Sequence, residues 1–314
     1  MMNLSNITKI PRGNLPAKIM FIEEGDTLHM KMRQDNTSAN MQENNAAFEA
    51  WAFYAKSEGY ERIILSESEP EKEIDLIKEQ QHYNRFLYRV LRFTEGFDWF
   101  TVSDTLNEKI KNFEQTKLLR TDLCVNAPIV PAKVDTHIPE AHMERLLVCD
   151  GNKDFLNRKL GTNIDKFYNQ LPVGLFYEKV TSDTAIFPRS HAALDIWGLD
   201  NSTFHLVELK AKENQNLGVL SEVFFYACFV YDMYCCRHLE RKDSTDSQKY
   251  GEKLRGYPEL IRANITSVTA HILTAKKHPW LDKAFAELSQ CKLNGISFAN
   301  AVCYSPLEVP MKSI

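Results

Sequence analysis

Ala193-Leu-Asp195-Ile-Trp-Gly-Leu-Asp-Asn-Ser-Thr-Phe-His-Leu-Val-Glu208-Leu-Lys210 is the stretch whose reading decides the fold. Two apolar runs flank a short polar turn around Asp200-Asn201. That pattern predicts strands over 192–199 and 203–211 joined as a hairpin. Asp195, Glu208 and Lys210 interrupt the apolar runs where a buried strand carries no charge. Glu208 and Lys210 are two apart, so they project from one face while Leu209 projects from the other. Turn length decides whether Asp195 joins them. An even loop centred on Asp200-Asn201 puts Leu199 opposite Ser202, Asp195 opposite Leu206, and Glu208 diagonally beside Asp195. A three-residue loop sends Asp195 to the far face. In the even case, two carboxylates and one ammonium share an apolar hairpin, and a divalent cation is their natural partner.

Outward from the hairpin, helices are expected over 140–147 and 152–160, the second closed by Gly161. A strand is expected over 173–180, just ahead of the hairpin. After it, 217–239 reads as a helix with Leu220, Phe224, Ala227 and Tyr231 on one buried stripe. Residues 237–255 are polar and charge-mixed. A short helix (257–264), a strand (266–276), a helix (280–291) and a last strand (296–304) complete the chain.

Pro128, Pro131 and Pro139 mark 126–139 as the linker, which divides an N-terminal α+β domain, 1–130, from a second domain, 131–314. The first begins with a loose polar leader over 1–15 and a hairpin turning at Glu24–Asp26. A helix with Ala47, Trp51 and Tyr54 on one face follows, closed by Gly59, then a strand from Arg62. Beyond lie an acidic solvated helix over 67–81, an aromatic helix over 83–93, a strand at Trp99 and an amphipathic helix over 106–119. No chemical motif stands out in this first region, and its aromatic residues read as core.

An acid, a turn and a strand ending Glu208-Leu209-Lys210 resemble the signature of the PD-(D/E)XK nuclease superfamily, the restriction-endonuclease-like fold. Leu194 stands where that pattern often has Pro. The resemblance covers about 141–306, and the expected element order there, helix, three strands, helix, strand, helix, strand, is similar to the family's αβββαβ core. It implies an α/β fold with a mixed central sheet flanked by helices. It also implies a divalent-metal-dependent nuclease acting on nucleic acid, DNA first. Carried over, Asp195, Glu208 and the carbonyl of Leu209 hold Mg²⁺ or Mn²⁺, which polarises the scissile phosphate and activates a water. Lys210 orients that water and stabilises charge on the phosphate oxygens. Glu144 is the first choice for the extra acid that many members bring from the first core helix, with Glu140 second. Glu222 and Tyr226, four apart on one helical face, stand where the exonuclease-like branch carries Gln and Tyr. Arg189, His191 and Lys212 flank the hairpin and are candidates for phosphate contacts. The alternative is a catalytically inactive nuclease-fold module that binds nucleic acid or a protein.

Composition limits the remaining classes. The 314 residues allow two domains or one enlarged domain. A net charge of −4 argues against a chain coated in positive charge, so DNA would need a local basic groove. Seven irregularly spaced Cys with no CxxC argue against zinc and for reduced thiols in a cytoplasmic protein, with Cys235-Cys236 filling core. The N-terminus lacks an apolar signal core, and an apolar run of about 18 residues is not expected, so no membrane partner is implied. A homodimer is expected if both strands of a duplex are cut.

Overall fold

The computed structural model describes residues 7–10, 15–16, 18–41, 43–68, 77–128, 139–188, 192–211, 216–240 and 254–310. The first region opens with an antiparallel hairpin, β1 (Ile19–Glu24) and β2 (Thr27–Met32), turning through Gly25 at φ 59°. Leu28, Met30 and Met32 alternate with half-exposed neighbours, the pattern of a strand buried on one face. A short helix α1 (Gln34–Thr37) and α2 (Phe48–Ser57) cross over to β3 (Arg62–Glu67), parallel to β2. The long helix α3 (Ile77–Gly96) crosses over to β4 (Phe100–Val102), parallel to β3, and α4 (Asp104–Phe113) follows. The sheet order is β1-β2-β3-β4. Of the expected helix over 67–81, only its end is helical among the described residues: Glu67 closes β3, and α3 begins at Ile77.

The second sheet contains the hairpin. β5 (Leu123–Val125), α5 (Pro139–Val148) and α6 (Lys153–Leu160) precede β6 (Phe167–Pro172). β7 (Leu175–Tyr177) leaves this sheet and pairs with β5. β8 (Ala193–Asp200) and β9 (Thr203–Lys210) form the hairpin, and α7 (Val219–Val230) follows. After α8 (Tyr257–Arg262) come β10 (Ser267–Thr274), α9 (Leu281–Leu288) and β11 (Ile296–Cys303). The strand order is β11-β10-β9-β8-β6. β6, β8 and β9 are an antiparallel meander, while β10 and β11 run parallel to β9. The protein is thus mixed α/β, with mixed sheets and flanking helices. The strand expected over 173–180 shrinks to β7. The meander's first strand is β6 instead, an edge strand whose terminal position tolerates Pro172.

α5 and α6 cover one face of the second sheet through Leu147, Leu156, Ile196, Val207, Leu209 and Leu273. α7 covers the other, and every residue from Val219 to Val230 is buried. The single buried stripe expected of this helix is therefore too narrow. Its outer side is covered by the first region: Phe224 meets Phe93 with ring centroids 5.3 Å apart, and Phe225 meets Tyr88 at 5.9 Å. With the π-helical turn Tyr231–Cys236, α7 gives an 18-residue helix, Val219–Cys236, apolar and long enough to cross a membrane. The expectation of no such stretch is corrected here. Of that helix, 83% is buried between protein layers, as a core helix is. All seven Cys are free, and Cys236 is exposed rather than core-filling.

Candidate active site

The β8–β9 ladder runs from Asp200↔Thr203 to Ile196↔Val207, so the loop is the two-residue pair Asn201-Ser202. Asn201 takes φ 53°, a left-handed conformation that Asn tolerates better than most residues. The loop is even, as convergence requires, but displaced by one residue from Asp200-Asn201. Continued past Ile196, this register places Asp195 directly across from Glu208 rather than diagonal to it. The ladder does not continue in the ordinary way. The amide of Leu209 donates to Asp195 Oδ2 at 2.8 Å, a side chain taking a bond that the facing backbone makes in a regular ladder. On the other side of β8, the β6 register skips Gln170, whose φ is 57°. The sheet is irregular at Asp195 on both sides.

Around this irregularity the acids gather. Asp195 is 8% exposed, Glu208 1%, Lys210 6%, Glu222 4% and Glu144 4%, so protein rather than water must satisfy their charges. Lys210 Nζ donates to Glu208 Oε1 at 2.7 Å. It also lies 2.7 Å from Glu222 Oε2 and 3.7 Å from Glu140 Oε1. The contact of Glu222 Oε2 with the ammonium is an ion pair. Glu208 Oε2 is buried with no N–H or hydroxyl donor among the described residues, so only a proton shared with Glu222 satisfies it. Tyr226, one turn after Glu222 on α7, has its buried hydroxyl unpartnered among the described residues and within electrostatic range of Glu208, Glu222 and Asp195. From α5, Glu144 accepts a hydrogen bond from the Gln170 amide.

One ammonium faces five carboxyls, and protonation follows. Burial, reinforced by Asp195, holds the Glu208 carboxyl well above the usual range. Burial opposes ionisation of Glu222 too, but Lys210, the hydrogen bond with Glu208 and more distant Arg89 outweigh it and hold Glu222 below its ordinary value. The two carboxyls therefore share a proton that sits on Glu208. Burial raises Asp195 despite Lys210. Burial also lifts Glu144 to about 7 against the opposing Gln170 bond. Lys210 stays charged, because its carboxylate neighbours overcome the burial that would discharge it.

These residues fit a hard divalent cation by donor chemistry, since Asp195, Glu208, Glu222 and Glu144 offer only oxygen donors. Among the described residues no three acidic, His or Cys side chains stand at the spacing of a closed coordination shell. Lys210 stands between Glu208 and Glu222 instead, and seating a cation on Glu208 requires it to loosen one of two short contacts.

Asp195, Glu208, Lys210, Glu144, Glu222 and Tyr226 are thus brought together, with the Leu209 backbone beside them and its side chain in the α5–α6 core. Arg189, His191 and Lys212 lie outside the described residues. His205 faces away, its Nδ1 3.2 Å from His271 Nε2, and burial lowers His271 to about 4.

Other contributors are not apparent from the sequence pattern. Gln170 carries no charge or motif, and Arg255, which reaches Asn169 Oδ1 and the Gln170 carbonyl at 3.4 Å, comes from a distant segment. Arg89 is different. Its Nε donates to Glu49 Oε1 at 2.7 Å and the pair is fully buried beside α7. A charge inside the aromatic run Phe86-Leu-Tyr-Arg89-Val was the signal for it. Comparison with family models, with curated proteins and with solved structures gives no match to this chain.

Proposed function

We propose that this protein is a divalent-cation-dependent nuclease that hydrolyses phosphodiester bonds of nucleic acid, DNA foremost, on a PD-(D/E)XK, restriction-endonuclease-like core. The observation that carries the reading is the convergence of Asp195, Glu208 and Lys210 where the β8–β9 ladder breaks. The surrounding order supports it: helix, antiparallel meander, helix and parallel strand, with Glu144 and Glu222 supplied by the helices on either side.

Asp195, Glu208 and the Leu209 carbonyl would hold Mg²⁺ or Mn²⁺, with Glu144 available as a further oxygen donor. Bound there, the cation polarises a phosphate oxygen and acidifies a water. Asp195, fixed by the Leu209 amide, sets the position of the donor group. Glu208 would hold the cation as a carboxylate, and Glu222, ionised beside it, is the neighbour placed to receive its proton. Lys210 then directs its ammonium at the attacking water and the charge growing on phosphate oxygen. Seven free thiols support a reducing, cytoplasmic setting, and duplex cleavage by a homodimer belongs to the same proposal. A second reading, a nuclease fold that binds nucleic acid or a protein without cutting, is favoured by one observation. Lys210 neutralises the carboxylates that a cation would use.

The test is incubation of the purified protein with linear, circular and single-stranded DNA and with RNA, plus Mg²⁺ or Mn²⁺, beside Asp195→Ala and Lys210→Ala. Cleavage by the native protein that falls about a hundredfold or more in both variants is expected. Cleavage that survives both substitutions overturns the site. Salt-sensitive binding without cleavage selects the second reading.

A further inference from the structure

We propose that the first region carries a separate binding site for a small phosphate-bearing ligand, in a cavity at the carboxyl ends of β2 and β3. The cavity has a volume of about 300 Å³, at the lower limit for small-molecule sites. It is walled by α1, α3, α4 and the π-helical turn Glu114–Leu118 that follows α4, and by Glu67 and Ser68 at the end of β3. β2, β3 and β4 run parallel, so the cavity lies beyond the carboxyl ends of β2 and β3.

The walls determine the ligand's character. Only Leu87 and Phe113 among them are wholly apolar, so a hydrocarbon ligand would strand many amides, hydroxyls and charges. The charge balance then determines the sign. Glu67 is already satisfied: it accepts from the Tyr83 hydroxyl at 3.1 Å and pairs with the Lys109 ammonium at 2.8 Å. Lys117 lines the same cavity with no partner among the described residues. Among the described residues the lining therefore carries one positive charge in excess. The Lys117 ammonium, the Ser68 hydroxyl and the Asn112 amide all line the cavity, and together they suit the several acceptor oxygens of a phosphate. The volume admits a ligand of mononucleotide size. None of Asp195, Glu208, Lys210, Glu144 or Glu222 lines this cavity, so the site does not rest on the nuclease reading.

The experiment titrates the full chain, with chelator present, against inorganic phosphate, adenosine monophosphate and adenosine. Calorimetric binding is read beside the thermal midpoint. Phosphate and the nucleotide are expected to bind and raise the midpoint, since a ligand held only by the folded state stabilises it. Adenosine is expected not to bind, and Lys117→Glu is expected to weaken nucleotide binding about tenfold or more while leaving the unliganded midpoint unchanged. Equal binding of adenosine overturns the proposal, as does nucleotide affinity that Lys117→Glu leaves unaltered. Absence of binding by both phosphate and nucleotide overturns it too.

Discussion

At the scale of single residues, the site is a problem in where protons sit. Glu208 and Glu222 lie against one ammonium, and the proton they share rests on Glu208 because Lys210 and Arg89 favour charge on Glu222. A neutral amide at 208 can keep both roles, donating to Glu222 and accepting from Lys210. Glu208→Gln is therefore expected to fold with a stability change below about 1 kcal/mol. The same change removes an anionic oxygen donor, so cation-dependent cleavage is expected to fall about a hundredfold or more; urea titration and a cleavage assay read the two effects separately. Glu144 gives a pH signature. In the unfolded chain its carboxyl ionises near the ordinary 4.5, while in the folded, cation-free protein it holds its proton to about 7. The folded state thus binds more protons between those values. Stability from this group is present below pH 4.5, falls as pH rises and is lost above about 7. Glu144→Gln removes the loss. Unfolding in chelator is expected to show the variant more stable at pH 8 by up to roughly 3 kcal/mol, with little difference at pH 4. Equal stability at pH 8 would show that Glu144 is not held protonated.

At the scale of elements, α2 shows how distant parts of the chain complete each other. Its N-cap position is Ala47, which offers no side-chain acceptor, so the first-turn amides need a partner from elsewhere. Ser221 on α7 supplies one, its Oγ accepting from the Ala50 amide at 3.2 Å. Ser221→Ala is expected to cost about 1 kcal/mol, the usual worth of a capping oxygen, read as a lowered urea midpoint with unchanged slope. A cap borrowed across 171 positions leaves no local signature, since Ser221 reads as one more small residue in a buried helix. The hairpin is the opposite case. Its charges interrupt apolar runs, and side-chain alternation assigns faces, so the meeting of Asp195 with Glu208 and Lys210 is legible locally. Its register is less so, because Asn201-Ser202 and Asp200-Asn201 are equally good turn pairs by composition. The strand β6 escaped reading because Asn169, Gln170 and Pro172 suit loops, and only the edge of a sheet makes room for them.

At the scale of the whole molecule, the two sheets share α7, and the sequence pattern does not disclose it. The prolines at 128, 131 and 139 mark a break in the chain, whereas packing ignores that break. Phe93 from α3 meets Phe224 from α7, Phe113 stacks on Phe187 at 6.5 Å, and Tyr54 of α2 stacks on Trp280 at 4.2 Å. One hydrophobic cluster accordingly runs from Ile19 and Leu28 through Phe224 to Ile272 and Phe298. Separating the regions would expose Phe224 and Phe225 on the outer side of α7. Unfolding is therefore expected to be one cooperative transition despite the linker. Phe93→Ala supplies the test. The ring is fully buried among Phe48, Phe53, Phe97, Phe100 and Phe224, so its loss is expected to cost about 3–5 kcal/mol. If the core is shared, native-state hydrogen exchange will show amides of β10 losing protection as much as those of β3, although β10 belongs to the other sheet. Loss confined to β3, with β10 as protected as before, would mean that the sheets open independently and that α7 is stable with one side bare.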